Sequence, residues 1–517
     1  MNIPLINLKY SDSKHLIIIP ALVFILTLVA YEYFPPLFSS FFSGNDSFRW
    51  FPVFILFMGS LFSLYSFVLV NKNIELEYKA AGACITLFAG MMIFVSFQRF
   101  TSGIRFLETY NEIMSIRIAN GKSIYPDPEL YPVGTVYTPL YFLITGLFYK
   151  LLPSGFAYGR IVSLISTLVT SFYVYNLAYR HYNNRNTGLW ASVLFLSTYV
   201  FINKSYDKCF VDSLLMCLLT IAMYYYQRNS YRDDFLAILF CSLACFTKQT
   251  ALFPLILVFI SSVFAKRKLT IYTPLIISTV IACVLLYITS GRLWIYLAVY
   301  PIGHGLKKAF PAKIMFDIFV LQTCIWIGVI HSFSNNKFGR FHLFILVIIA
   351  SSFFGLFKGG GGYQALLPLE PVICIASCYF LSKKRLFLII QIIIGLYNPF
   401  ATLYPYKSIR YPDLKIKELL NRTAGEVWLP METYLYNGTE KNEWDNFCAL
   451  FGPSWSGFDV PERLLTALRL KEFDLIIIRK SSMGLFFLFH PDIRDYIKKN
   501  YWEDNCTDLV IFRPRRL

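Results

Sequence analysis

Residues 99–142 read "RFTSGIRFLETYNEIMSIRIANGKSIYPDPELYPVGTVYTPLYF". This polar, carboxylate-bearing stretch sits between strongly apolar segments, so Glu108, Glu112, Asp127 and Glu129 lie close to a bilayer beside Arg99, Arg105, Arg117 and Lys122. Carboxylates held at a membrane surface next to cations suit chemistry on a charged lipid headgroup. The loop 99–135 is therefore the first place to look for function.

The rest of the chain supplies the membrane. Its 517 residues are 56% hydrophobic and 15% charged, with a mean hydropathy of +0.52, whereas a soluble domain is roughly half apolar and a quarter charged. Phe (50) and Tyr (36) are abundant, as aromatic belts at both interfaces require. Lipid-exposed backbone must satisfy its hydrogen bonds internally, so the fold class is an α-helical polytopic membrane protein. The net charge of +17 does not mark a nucleic-acid partner, because the basic residues fall in short clusters between apolar spans. The eleven cysteines lie mostly in apolar runs without metal-ligand spacing and behave as small hydrophobes. Cys448 and Cys506, in the polar C-terminal region, are the pair open to a disulfide.

Apolar runs fall near 15–34, 50–71, 81–98, 156–178, 188–203, 212–227, 271–290, 314–332, 341–357, 364–382 and 386–404, each about long enough to cross a bilayer. Shorter runs at 235–247 and 249–265 meet at Lys248. The first run has no small-residue cleavage site after it and reads as a retained span rather than a signal peptide. Basic connections at 180–186, 228–234, 266–268, 335–340 and 382–385 are assigned to the cytoplasm. With a cytoplasmic N-terminus this gives about thirteen transmembrane helices. It places 99–135, 204–211, 291–313, 358–363 and the C-terminal region on the outer face. The run 136–152 is read as re-entrant or interfacial, since another crossing would invert most basic loops. From 405 to 517 amphipathic helices alternate with short strands, "EVWLPM", "FDLIIIRK" and "DLVIFRP", predicting a small α/β extracytoplasmic domain after a catalytic membrane domain over 1–404.

Glu108 and Glu112 are spaced to share one helix face. They suit a general base that takes a proton from an acceptor hydroxyl, and equally an interfacial helix with solvated carboxylates. Asp127 and Glu129 form an acid-x-acid pair able to hold a divalent cation such as Mg or Mn, or simply turn chemistry. Asp207 and Lys208 occupy a short outer connection with Asp212. Lys248 is flanked by apolar sequence, a costly placement that marks a functional candidate, with snorkelling as the rival account. Lys358 opens "KGGGGYQALLPLEP", where glycines allow a ligand close to backbone N–H groups. His304, Lys307 and Lys308 lie in the loop 291–313 and are placed to cover the site.

The order of "ETYNEIMSIRIANGKSIYPD", "VYTPLYFLITGLFYKLL", "GRIVSLIS", "YDKCFVDSLLMCLL", "FTKQTALFPL" and "KGGGGYQALLPLEP" resembles the GT-C superfamily of membrane glycosyltransferases. The subgroup is that of protein O-mannosyltransferases, the lipid A aminoarabinose transferase and rhizobial lipopolysaccharide transferases. Glu108, Tyr110, Gly121, Tyr125, Asp127, Tyr137, Pro139, Arg160 and Ser163 occupy the motif positions. The chain departs from many relatives in having Leu107-Glu108 where they carry Asp or Asp-Glu. The resemblance implies inverting transfer of a sugar from a polyprenyl-phosphate donor to a glycan, lipid or protein acceptor at the outer face. Glu108 or Glu112 would be the base, Lys248, Lys358 and Lys208 would stabilise the phosphate leaving group, and Asp207 and Tyr137 would bind substrate. A lipid-linked oligosaccharide polymerase or ligase, which relies on outer-loop arginines, and a lipid-linked sugar flippase or transporter are the competing functions.

Overall fold

The computed structural model describes residues 76–100, 106–127, 134–151, 158–306, 311–335, 338–359, 361–397, 410–430, 435, 462–480, 483, 487, 491–505 and 509–515. The expected spans near 15–34 and 50–71 lie outside these residues, as do Glu129, Lys307, Lys308, Cys448 and Cys506. The nine cysteines among the described residues are free. Residues up to Gln98 form one compact unit and those from Arg99 onward a second. In the first, helix α1 (Leu76–Phe100) returns the Thr86 and Ser96 hydroxyls to carbonyls four residues back. That is how a hydroxyl is accommodated in apolar surroundings.

The second unit begins with α2 (Phe106–Ala119), α3 (Leu140–Leu151), α4 (Tyr158–Tyr182), α5 (Arg185–Ser197), α6 (Val211–Tyr226) and α7 (Tyr231–Cys245). It continues with α8 (Leu252–Phe264), α9 (Thr273–Ile288), α10 (Thr323–Asn335), α11 (Arg340–Phe357), α12 (Leu369–Lys383) and α13 (Arg385–Tyr397). Their starts follow local chemistry. Asn184 caps α5 by accepting from Thr187 N–H at 3.1 Å, and Ser230 caps α7 by accepting from Asp233 N–H at 3.2 Å. Where α10 crosses α12, a Cβ on Gly328 would fall 2.6 Å from that of Ser377. The missing side chain thus lets the two backbones approach.

Among the described residues, Tyr158–Tyr182, Leu269–Ile288 and Arg340–Phe357 are long and apolar enough to cross a membrane. A fourth span results if Ala312–Val320 and Thr323–Asn335, bent by 66°, count as one. The expected run 314–332 is therefore broken at Leu321–Gln322. Helix α3 has 12 residues, roughly 18 Å of helix at 1.5 Å per residue, short of the roughly 30 Å hydrocarbon core. Its first N–H, of Leu140, donates to the Phe246 carbonyl just past α7, and Phe148 and Tyr149 pack on Tyr158 at the start of α4. Both ends of α3 thus meet the same end of the bundle, and Leu143, Leu147 and Leu151 leave an exposed apolar stripe along it.

At the opposite end the short basic connections gather. Asp234, fully buried, accepts from Arg267 Nε at 2.7 Å and from Arg340 NH1 at 2.8 Å. One carboxylate thereby joins the start of α7, the turn after α8 and the start of α11. Arg340 also lies over the Tyr226 ring at 5.0 Å. His181 stacks on Phe341 and meets the Gln227 amide at 2.6 Å, while the Thr187 and Ser382 hydroxyls lie 3.5 Å apart.

The C-terminal part contains helices α14 (Arg410–Arg422), α15 (Glu462–Leu470) and α16 (Pro491–Asn500) around a sheet of order β1-β2-β4-β3. The strands are β1 (Glu426–Trp428), β2 (Phe473–Arg479), β3 (Tyr501–Asn505) and β4 (Leu509–Pro514). β1 runs parallel to β2, and β4 is antiparallel to both β2 and β3. Alternation along β2 sends Ile476 and Ile478 into one core with Trp428 and Ile497, and Leu475 and Ile477 into the other with Ile416 and Leu420. The three strands expected from sequence are present. β3 is an addition, because "YWEDN" takes its extended form from pairing with β4 rather than from its own pattern.

Replacing Asp234 by Ala leaves two arginines of the clasp without their buried partner. The expected cost is about 3–5 kcal/mol, read as a lowered melting temperature in detergent, with Asp234→Asn recovering part of it.

Candidate active site

Helix α2 sets its two carboxylates on one face, as the spacing predicts, but buries both. Glu108 is 1% and Glu112 0% exposed. Glu108 is saturated. Arg160, in the first turn of α4, donates to it through Nε at 2.9 Å and NH2 at 2.8 Å, and Cys209 N–H adds a third bond at 3.1 Å. This bidentate fork is the strong form of a carboxylate–guanidinium pair. Burial alone would raise the Glu108 carboxyl, but the Arg160 guanidinium outweighs it and lowers the group to about 2.

Glu112 has the opposite surroundings. Neither of its oxygens has a partner at hydrogen-bond distance among the described residues; burial pushes its carboxyl up to about 8, the Glu108 charge assisting while the nearby Cys209 thiol, Arg160 guanidinium and Gly159 backbone pull the other way. It sits against Gly159, where a Cβ would lie 3.0 Å from Glu112 Oε2 and 2.6 Å from the Tyr141 hydroxyl. Any larger residue at 159 would close that contact. Two carboxylates one helical turn apart are therefore driven to different protonation states, the arrangement by which sites separate proton-carrying roles.

The connection 198–210 supports this pair. Asn203 and Lys204 take positive φ values of 54° and 52°, an uncommon conformation for side-chain-bearing residues. It turns their carbonyls to cations: Arg99 NH1 donates to Lys204 O at 2.8 Å and Lys208 Nζ to Asn203 O at 2.7 Å. Arg99 also pairs with Asp207, which accepts from the Tyr199 hydroxyl at 2.8 Å. Arg160 NH1 donates in turn to the Arg99 carbonyl, and Asn111 Nδ2 to the Cys209 carbonyl at 2.6 Å. Asp207 and Lys208, expected to bind substrate or phosphate, thus brace this turn.

Lys248 and Lys358 lie within electrostatic reach of one another. Lys248 Nζ lies 2.6 Å from Asp212 Oδ1 and 5.4 Å from the ring centre of Tyr137. Lys358 is held below the usual lysine range by burial and by the neighbouring Lys248 charge. Lys248 also lines a small hollow with Thr250, Ser351, Ser352, Leu215 and Leu219. Tyr137 is anchored from its own loop, since its carbonyl accepts from the Tyr125 hydroxyl at 2.8 Å and its ring meets that of Tyr110 on α2. The Gln249 amide donates to Val136 O at 2.6 Å. These contacts tie the lysine step to the loop after α2.

Asp127 pairs with Arg292 at 3.2 Å, and Glu129, the other half of the expected metal pair, lies outside the described residues. Among the described residues no group of three or more His, Cys, Asp or Glu side chains is placed to hold a metal ion. His304 follows the irregular helical turns 292–303, where Gly305 O accepts from Gly359 N–H at 2.9 Å, joining the 304–306 turn to the glycine run. The sequence reading named Arg160 as a motif position without finding its partner. A buried arginine one turn into an apolar span was the available signal.

A family model described as dolichyl-phosphate-mannose-protein mannosyltransferase matches residues 136–294. Among solved structures, ArnT from Cupriavidus metallidurans bound to undecaprenyl phosphate is similar at 12% identity and a TM-score of 0.57, covering 83% of this chain and 97% of that one. The apo state of the same protein is similar at 12% identity and a TM-score of 0.54, covering 84% and 98%. No curated protein sequence matches the chain.

A carboxyl raised to about 8 in the folded state favours the protonated form, so its contribution to stability is present below the unfolded value near 4.5 and is lost as pH rises through 8. Wild-type melting temperature is expected to fall relative to Glu112→Gln over that window. Equal pH profiles for the two proteins would contradict the burial of an unpaired Glu112.

Proposed function

We propose that this chain, which has the fold of the GT-C superfamily of membrane glycosyltransferases, transfers a sugar from a polyprenyl-phosphate donor to an acceptor hydroxyl at the outer face of a membrane. The observation that carries this reading is one end of the bundle where the 134–137 loop joins α2, with its buried carboxyl Glu112, to the Lys248 step, and Lys358 lies within electrostatic reach of Lys248. Glu112 acts as general base, because it has free acceptor capacity, while Glu108 is committed to Arg160 and fixes the position of α2. The acceptor oxygen attacks the anomeric carbon, the carbon–oxygen bond to phosphate breaks, and inversion follows from that single displacement. Lys248 and Lys358 neutralise the charge that develops on the departing phosphate, a role best filled by cations already in place. The undecaprenyl phosphate bound by ArnT is a ligand of the same class.

The membrane domain spans 1–404, with about thirteen crossings and a cytoplasmic N-terminus, and the domain 405–517 is extracytoplasmic. Helix α3 is interfacial. Gathering of the basic connections around Asp234, at the end away from α2, supports this orientation, since cytoplasmic loops carry the excess of Lys and Arg.

The test is transfer of radiolabelled sugar from a polyprenyl phosphate by purified protein in liposomes. Glu112→Gln is expected to lower kcat by about 10²–10⁴-fold, and wild-type kcat to rise with pH through about 8. Lys248→Met and Lys358→Met are each expected to lower kcat/KM by about 10²-fold. Movement of the lipid without glycosidic bond formation would replace the enzyme reading with a flippase.

A further inference from the structure

Three buried amide and carboxylate groups lie away from the α2 pair. Gln322 stands at the break between Ala312–Val320 and Thr323–Asn335, Glu370 in the first turn of α12, and Gln391 midway along α13. All three are 0% exposed. Gln322 Nε2 donates to Glu370 Oε1 at 3.2 Å, and Gln391 Nε2 donates at 3.0 Å to the carbonyl of Leu321, the residue next to Gln322. The donors of both amides are thereby turned into the cluster's own frame. What remains are acceptors: Glu370 Oε2, Gln322 Oε1 and Gln391 Oε1, each without a hydrogen-bond partner among the described residues.

No basic side chain among the described residues pairs with Glu370; the polar groups beside it, the Gln322 amide and the Thr198 hydroxyl, are neutral. Three orphan oxygens in an apolar interior are costly, so the site calls for something electron-poor. A proton on Glu370 would bridge to a single acceptor and leave another unsatisfied. A cation satisfies all three at once. One carboxylate with two amide oxygens balances a single positive charge, whereas sites for doubly charged ions gather more carboxylates. Gln322 stands at a break between two helices, and interrupted helices are where membrane proteins hold Na⁺.

We propose that Glu370, Gln322 and Gln391 form a binding site for a monovalent cation of sodium size, which locks α10, α12 and α13 together. The proposal is independent of the glycosyltransferase reading.

The test is thermal unfolding of the full chain in detergent at constant ionic strength, with NaCl exchanged for choline chloride. A saturable rise in melting temperature of several degrees with Na⁺ is expected. Glu370→Gln is expected to abolish the Na⁺ response, and Gln391→Met, which keeps length and removes the acceptor, to shift it at least tenfold to higher Na⁺. Should Glu370→Gln fail to fold, the Gln391→Met titration decides alone. An identical melting temperature in choline and Na⁺, a Na⁺ response unchanged in Gln391→Met, a response to Ca²⁺ or Mg²⁺ only, or stabilisation by acid without any Na⁺ response would each overturn the proposal.

Discussion

The Glu108–Arg160 ion pair is the constraint from which the rest of this end of the molecule follows. Two charges removed from water are tolerated only when each finds close, well-oriented partners. Here the guanidinium spends Nε and NH2 on one carboxylate and NH1 on the Arg99 carbonyl. The carboxylate takes a further bond from Cys209 N–H. Four separate stretches of chain therefore meet at one pair: the end of α1, the α2 helix, the start of α4 and the turn before α6. Glu112 can remain unpaired beside them only because its neighbour already satisfies the nearest cation.

This pairing also explains why composition alone could not rank the charged residues. Glu108 and Glu112 look alike in sequence, and so do Lys208 and Lys248. What each one pairs with depends on the folded chain: Glu108 meets Arg160, 52 residues on, while Lys208 turns back to Asn203 and Lys248 to Asp212. The left-handed pair Asn203–Lys204 was equally hidden, since neither residue is glycine. Its conformation is held by Arg99 and Lys208 from outside the turn.

Other parts were legible because local pattern sufficed. Apolar runs with basic ends located α4 to α9 and α11 to α13, with ends off by up to about two turns, and alternation located β1, β2 and β4. The break inside 314–332 was missed because its signal, Gln322, is one polar residue in an otherwise apolar run. Of the acid-x-acid pair, Asp127 pairs with Arg292, 165 positions on, a partner no local pattern could show, while Glu129 lies outside the described residues. Resemblance of motif order reached the fold sooner than any single residue did, which is consistent with degenerate motifs spread over many helices.

The two ends of the bundle differ in how readily they deform. At one, a single carboxylate fastens three connections whose helices begin or finish in regular turns. At the other, π-helical turns at Ile295–Val299 and Phe316–Val320 precede a 66° bend, and wide turns hold their hydrogen bonds less uniformly than α-helix. Strain imposed on the second unit would therefore be taken up first at that end, while the three-way clasp on Asp234 keeps the other end in register.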